Sequence, residues 1–337
     1  MTAVNRQITL ASRPAGFPRV SDFNLVYSPL PSPAAGEVMV RSIYLSLDPF
    51  MRGLMSDSES RAQLVAIGGV MIGGTVGVVM ESRNEDFRAG DTVEGMLGWQ
   101  EYAVVQGRRL RRVDPGLAPI STALGVLGMP GLTAYFGLLD ICDPQPGETV
   151  VVSGAAGSVG MIVGQIAKIK GCLVVGATGS DATICWLIDE LGFDAAFNCR
   201  TAADCHGRLE GFCPDGIDVY FDNVGGAITD AVLRLINPRA RISVCGQLSQ
   251  CNLQEPEVGP RWLDRLIVTQ SRVQGFLVSG YADRFSEALA QLARWLKKGK
   301  LKYREDVAQG IAAAPQAFIG MLRGENHGKQ LVQLSEW

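Results

Sequence analysis

The chain reads as an α/β protein: a doubly wound parallel sheet preceded by a β-rich domain. Three observations predict this. A β-branched run, Val150-Val151-Val152, leads into glycines spaced three apart at Gly154, Gly157 and Gly160. An amphipathic segment follows, with Val159, Ile162, Val163 and Ile166 at helical spacing. Four more short apolar runs then alternate with helical stretches, the pattern of a parallel sheet with helical crossovers. Before this region, Gly and Pro cut the sequence into short alternating runs, as in a partly open barrel.

In chain order, residues 37–46, 76–80 and 101–105 alternate as strands, with Gly73-Gly74 and Ala89-Gly90-Asp91 as turns between them. Gly128-Met129-Pro130-Gly131 starts a helix that leads into the parallel sheet. Residues 150–152 form its first strand and 173–177 its second. The third is 195–198, after a helical stretch ending near Leu191-Gly192; 217–222 and 240–246 are the fourth and fifth. Lys297, Lys298, Lys300 and Lys302 close an amphipathic helix that turns Phe285, Leu289, Leu292 and Leu296 inward. Cations suit that end of a helix dipole, so the cluster reads as a solvated helix end rather than a phosphate site. Residues 305–307 and 330–334 are strands expected to return to the first domain. The division is therefore 1–122 for the β-rich domain, 123–300 for the sheet domain and 301–337 for the returning segment. There is no internal repeat.

Composition narrows the function. A length of 337 residues suits two domains, and 47% hydrophobic with 19% charged residues suits substantial cores. A net charge of −3 gives no electrostatic case for nucleic acid or an anionic membrane. The amino-terminal residues lack a secretory apolar core. No segment is long and apolar enough to span a bilayer, Lys168 and Lys170 breaking the Gly-rich run. A cytoplasmic protein with reduced thiols is expected. The first cysteine is Cys142, the histidines are His206 and His327, and no C-x-x-C pair occurs. Zinc needs clustered ligands, so a metal is not expected.

A strand, a tight glycine turn and a helix let backbone N–H groups approach a pyrophosphate at the positive end of the helix. Gly154, Gly157 and Gly160 are therefore candidate dinucleotide contacts. The G-x-x-G-x-x-G spacing also fits a strand–turn–helix that binds nothing. The second strand ends in Ala177-Thr178-Gly179-Ser180, with no acid before Asp181. NAD-selective sites usually place Asp or Glu there; small hydroxylic residues such as Ser180 leave room for a 2′-phosphate.

Several motifs carry a resemblance. They are Leu10-Ala11-Ser12-Arg13-Pro14, Tyr44-Leu45-Ser46-Leu47-Asp48-Pro49-Phe50-Met51-Arg52-Gly53 and Leu127-Gly128-Met129-Pro130-Gly131-Leu132-Thr133-Ala134-Tyr135. Gly164-Gln165-Ile166-Ala167-Lys168, Phe221-Asp222-Asn223-Val224-Gly225-Gly226 and Asn326-His327-Gly328-Lys329 complete them. Across the whole length the chain resembles the zinc-free branch of the medium-chain dehydrogenase/reductase superfamily. That branch holds the leukotriene B4 dehydrogenase/prostaglandin reductases, the plant alkenal double-bond reductases and the bacterial curcumin reductases, the last being most similar. The resemblance implies a GroES-like catalytic domain, a Rossmann domain, a homodimer, and NADPH-dependent reduction of the C=C bond of α,β-unsaturated ketones and aldehydes. Hydride adds to the β-carbon and negative charge builds on the carbonyl oxygen, which needs hydrogen-bond donors and a proton source.

The resemblance also assigns residues. Asn223 is expected to reach toward the ribose or nicotinamide, and Asn326 to help close over the cofactor. Asn in turns also makes local backbone bonds. Cys251 stands where the family has a tyrosine. It can be a proton source, a small residue that opens space for a larger substrate, or the mark of an enzyme slow on ordinary enones; a buried apolar role is the plainer alternative. Phe50, commonly tyrosine in the family, and Trp99 are candidate pocket residues. Tyr44 is the surviving phenol, although a strand tyrosine is often core. The family lysine that follows the second strand is Thr183 here, and the tyrosine after the third strand is Cys199. Arg200 is the remaining cation for a 2′-phosphate. A preference for NADPH over NADH, weaker than is usual for the family, follows. A quinone oxidoreductase on the same scaffold and a low-turnover NADPH-binding redox sensor are the alternative functions. Residues 255–260 read as a lid.

Overall fold

Short β-branched runs build three sheets among the described residues. A computed structural model describes residues 4–56, 64–202, 204–255, 257–260 and 262–337. The chain divides into two units. The first comprises the described residues of Met1–Leu124, Glu305–Asn326 and Gln330–Trp337; the second comprises those of Gly125–Arg304 and His327–Lys329.

In the first unit, β1 (Val4–Leu10) pairs antiparallel with β2 (Phe23–Pro29), Leu10 opposite Phe23. The larger sheet holds β3 (Glu37–Ser46), β4 (Thr75–Ser82), β5 (Thr92–Gly95), β6 (Tyr102–Gln106) and β7 (Arg111–Arg112). β3 is its centre, pairing antiparallel with both β4 and β6. Alternation along β3 puts Val38 and Val40 against Val79, Val93, Leu97 and Ala103. The short helix α1 (Phe50–Leu54) follows β3 and buries Met51 and Arg52.

The second unit opens with α2 (Met129–Leu139), whose Pro130 occupies the first turn, where a missing N–H costs nothing. Then come β8 (Thr149–Ser153), α3 (Gly160–Ile169), β9 (Leu173–Thr178), β10 (Ala195–Asn198), α4 (Cys205–Phe212), β11 (Ile217–Asp222), α5 (Ala227–Leu233), β12 (Ile236–Val244), α6 (Leu263–Thr269), β13 (Arg272–Gly275) and α7 (Phe285–Lys297). All six strands are parallel, in the order β10-β9-β8-β11-β12-β13. This is the doubly wound order, with its switch point between β8 and β11. Every residue of β8 is buried, as a strand covered on both faces must be.

The stretch after β9 departs from a regular helix. Asp181–Thr183 is a 3-10 turn and Trp186–Glu190 a π-helical turn, in which the Leu191 N–H bonds to the Trp186 carbonyl. The chain then returns to the first unit through β14 (Glu305–Gln309), α8 (Ala314–Arg323) and β15 (Lys329–Gln333), with β15 antiparallel to β3. Among the described residues no helix is long and apolar enough to cross a membrane.

Candidate active site

The glycine turn after β8 has the shape that a close backbone approach requires. Gly154 has φ +61°, a left-handed conformation that side chains disfavour. A Cβ on Gly160 would lie 2.2 Å from the Gly154 carbonyl oxygen, so only glycine lets α3 start this close to the turn. A Cβ on Gly157 would meet only that oxygen, at 3.2 Å, leaving the face of the turn clear for a ligand. The positive end of α3 points its partial charge at the same turn. These features fit a pyrophosphate. Gly328 pairs with Gly157 in an isolated parallel bridge, so the segment just after Asn326 runs along the glycine turn.

At the carboxyl end of β9 the expected small residues are tied to one another. Thr183 is buried; its hydroxyl donates to the Ser180 carbonyl at 2.8 Å and lies 2.8 Å from the Thr178 hydroxyl. Ser180, half-buried, begins the 3-10 turn. Arg200 is exposed, its N–H held by Asn198 Oδ1 at 3.0 Å. Its guanidinium lies across Gly179, where a Cβ would sit 3.1 Å from Nε and 3.2 Å from Cζ. The structure thus brings a cation to the strand end that lacks an acid. Sequence reasoning passed over Gly179, whose missing side chain accommodates Arg200. Cys199, half-buried beside it, has its thiol pushed up by burial and by Cys205, and donates to the Thr178 carbonyl at 3.2 Å.

Beyond the switch point, Asn223 follows the end of β11. Its N–H donates to Ser153 Oγ at 2.9 Å and its Nδ2 to the Ser153 carbonyl at 2.7 Å. The loop that carries Cys251 rests on this turn: the Leu248 N–H bonds to the Asn223 carbonyl and the Ser249 N–H to the Val224 carbonyl. Cys251 is half-buried there. Within the second unit, the glycine turn, Asn223 and the Cys251 loop therefore gather at the carboxyl ends of β8, β11 and β12. Of the expected lid, Pro256 lies outside the described residues, and Glu257 accepts a bond from Gln250 at 2.6 Å.

In the first unit, Tyr44 is half-buried on β3 and packs beside Ile43, Val76 and Leu331. Phe50 opens α1 with its ring partly exposed. Trp99 is wholly buried, stacked on Phe23 at 5.7 Å and edge-on to Phe318 at 5.5 Å. Its placement is that of a core aromatic, and its indole N–H has no partner among the described residues. Asn326 is half-buried at the end of the returning segment. Among the described residues no three His, Cys, Asp or Glu side chains group as metal ligands.

Comparisons with known proteins agree with this geometry. The family model described as the N-terminal domain of oxidoreductase matches residues 6–113, and that described as zinc-binding dehydrogenase matches residues 158–294. An NADPH-dependent curcumin reductase of Escherichia coli is 46% identical over 98% of this chain and 97% of its own length. A tobacco (Nicotiana tabacum) 2-alkenal reductase (NADP(+)-dependent) is 42% identical over 98% of each chain. The crystal structure of CurA in complex with NADPH from Vibrio vulnificus superposes with a TM-score of 0.94 at 46% identity, covering 98% of this chain and 100% of that one.

Proposed function

The chain belongs to the medium-chain dehydrogenase/reductase superfamily, in the branch of the prostaglandin, alkenal and curcumin reductases, and from that membership we propose that it reduces the C=C bond of α,β-unsaturated ketones and aldehydes with NADPH. The full-length similarity to reductases named for this chemistry carries the reading. The glycine turn and the Arg200–Gly179 contact support it from the structure.

When bound, NADPH supplies the hydride that adds to the β-carbon of the conjugated carbonyl. The chain's residues hold and orient it. Gly154, Gly157 and Gly160, with the start of α3, take the pyrophosphate; Ser180 and Arg200 take the 2′-phosphate; Asn223 takes the nicotinamide-side ribose; Asn326 remains a candidate cofactor residue by its motif. Thr183 is already tied to Thr178 and Ser180, which leaves the phosphate to Arg200 and gives a modest preference for NADPH over NADH. Cys251 opens room for a long or bulky enone and is not needed as an acid. Tyr44 is the phenol that the first unit retains, and Phe50 a pocket residue.

The second unit also carries a surface suited to a second copy of the chain. On α6, Leu263, Ile267 and Val268 are 60%, 79% and 75% exposed, and β13 ends the sheet with its outer edge unpaired among the described residues. An apolar face beside an open edge favours pairing with another chain, here as a homodimer. No disulfide joins two cysteines among the described residues, which supports a reducing, cytoplasmic setting.

The direct test is to incubate the purified protein with NADPH and, in turn, alkenals, long enones, curcuminoids and quinones, and to identify the products. Saturated carbonyl products support the reading. Hydroquinone from quinones alone, or tight NADPH binding with no turnover on any of these, would replace it.

A further inference from the structure

Asp222 is a side chain that the reaction does not touch, yet it gathers six hydrogen bonds at the switch point. Its Oδ1 accepts from Ser153 Oγ at 3.0 Å, Tyr220 OH at 2.9 Å, the Val224 N–H at 3.0 Å and the Gly225 N–H at 2.8 Å. Its Oδ2 accepts from Thr229 Oγ1 at 2.8 Å and Gln247 Nε2 at 3.2 Å. The residue is 1% exposed. All six bonds run toward the carboxylate, whose two oxygens act as acceptors for the whole set. Burial, reinforced by the Asp222 charge, holds the Tyr220 phenol well above its usual range, so it stays a donor.

Ser153 connects this hub to Asn223. It is fully buried. Its hydroxyl proton goes to Asp222, which leaves the oxygen lone pairs for the Asn223 N–H, and its carbonyl takes Asn223 Nδ2. One amide hydrogen is thereby committed to the Ser153 carbonyl, which fixes the plane of the amide and turns its oxygen away from Ser153, toward a ligand. An oxygen acceptor selects a hydroxyl donor, as on a ribose, over a second acceptor.

We infer that Asp222 and Ser153 are positioning residues: a buried relay that fixes the Asn223 amide with its oxygen presented to a ribose hydroxyl on the nicotinamide side of the cofactor. The inference rests on the reading that this unit binds NADP(H). Asp222 turns the Ser153 hydroxyl; Ser153 then sets both the backbone and the side chain of Asn223. The same carboxylate draws in Gln247, at the root of the loop that carries Cys251.

The test uses binding rather than turnover, with two probes. NADP+ contains the nicotinamide ribose; 2′,5′-ADP lacks it and keeps the 2′-phosphate. Ser153→Ala is expected to weaken NADP+ binding about fivefold to tenfold by calorimetry, as loss of one oriented hydrogen bond does. Binding of 2′,5′-ADP should stay within about twofold, and the melting temperature within a few degrees of wild type. Asn223→Asp, which puts an acceptor against the Ser153 carbonyl, is expected to give the same selective loss should Ser153→Ala fold poorly. The Ser153→Ala/Asn223→Ala double variant should bind NADP+ no more weakly than Asn223→Ala alone. Equal weakening of both probes, no weakening of either, or multiplicative losses in the double variant would overturn the relay. Wild-type protein that binds neither probe would instead overturn the cofactor reading, and this inference with it.

Discussion

Replacing Arg200 by Ala should erode the preference for NADPH without harming NADH use. The structure supplies the magnitude. Arg200 is held by Asn198 Oδ1 through its N–H at 3.0 Å, and its guanidinium is laid over Gly179. The neighbouring Thr183 hydroxyl is already bonded to Ser180 and Thr178. In the proposed site the 2′-phosphate is therefore assigned to one fork of N–H donors at this strand end. A hydrogen bond to a charged group contributes about 1.5–3 kcal/mol, and Arg200 is exposed, so the low end applies. That corresponds to about a tenfold loss of kcat/KM for NADPH, with NADH unchanged to within about twofold. Arg200→Lys, which keeps the charge and loses the fork, should fall between. Steady-state kinetics with both cofactors for all three proteins give the answer. A ratio of NADPH to NADH efficiency that stays at the wild-type value in Arg200→Ala would refute the assignment of the phosphate to this side chain.

Four other outcomes are expected. Cys251→Ala should keep most enone turnover, whereas Cys251→Tyr should shift preference toward smaller enones; collapse of kcat in Cys251→Ala would make the thiol the acid. Gly164→Ala places a Cβ 2.0 Å from the ring of buried Phe193, an overpacking that costs about 1–3 kcal/mol and should lower the melting temperature by several degrees; an unchanged melt would show the ring free to move. Glu148 is raised by burial, but its bonds to Arg241 and the Gln145 N–H outweigh this and leave it below its usual range. Its folded form therefore gives up a proton more readily than the unfolded chain, so its contribution is present above about pH 4.5 and lost as pH falls through the lower folded value. Glu148→Gln should thus lower the melting temperature at pH 7 and approach wild type as the pH falls through the folded value; a gap that stays constant down the acid series would contradict this. Finally, Ile267→Glu with Val268→Glu should reduce the mass in sedimentation from two chains to one, and a wild type that already sediments as one chain would remove the homodimer.

Much of this molecule is legible in the amino-acid sequence wherever local pattern and tertiary role coincide. Residues 195–198 and 217–222 match β10 and β11 because their apolar residues sit close together in short, mostly buried runs. β13 has no such signature: Arg272, Val273, Gln274 and Gly275 are all exposed on the sheet's edge. The π-turn at Trp186–Glu190 is likewise invisible to a periodicity of 3.6. The glycine turn is legible as a motif, and Arg200 only as the cation that remains beside Cys199 once the family's lysine and tyrosine are missing. Gly179 is not, because its role is to be absent beneath a side chain from another strand. Ser153 and Asp222 read as the last residues of strands, and only their mutual bonds, across 69 positions of sequence, reveal the relay. Trp99 shows the converse: an aromatic in a loop suggests a pocket, yet its stacking on Phe23 buries it fully.

The measurement that bears most directly on the account is the fate of a deuterium label. NADPH deuterated at the transferable position of its nicotinamide is supplied with a defined enone, and the product is read by NMR. Hydride transfer to the enone predicts one deuterium on the carbon β to the carbonyl and an unlabelled solvent proton on the α-carbon. Deuterium on the carbonyl carbon, giving an allylic alcohol, or a saturated product without the label, would contradict it.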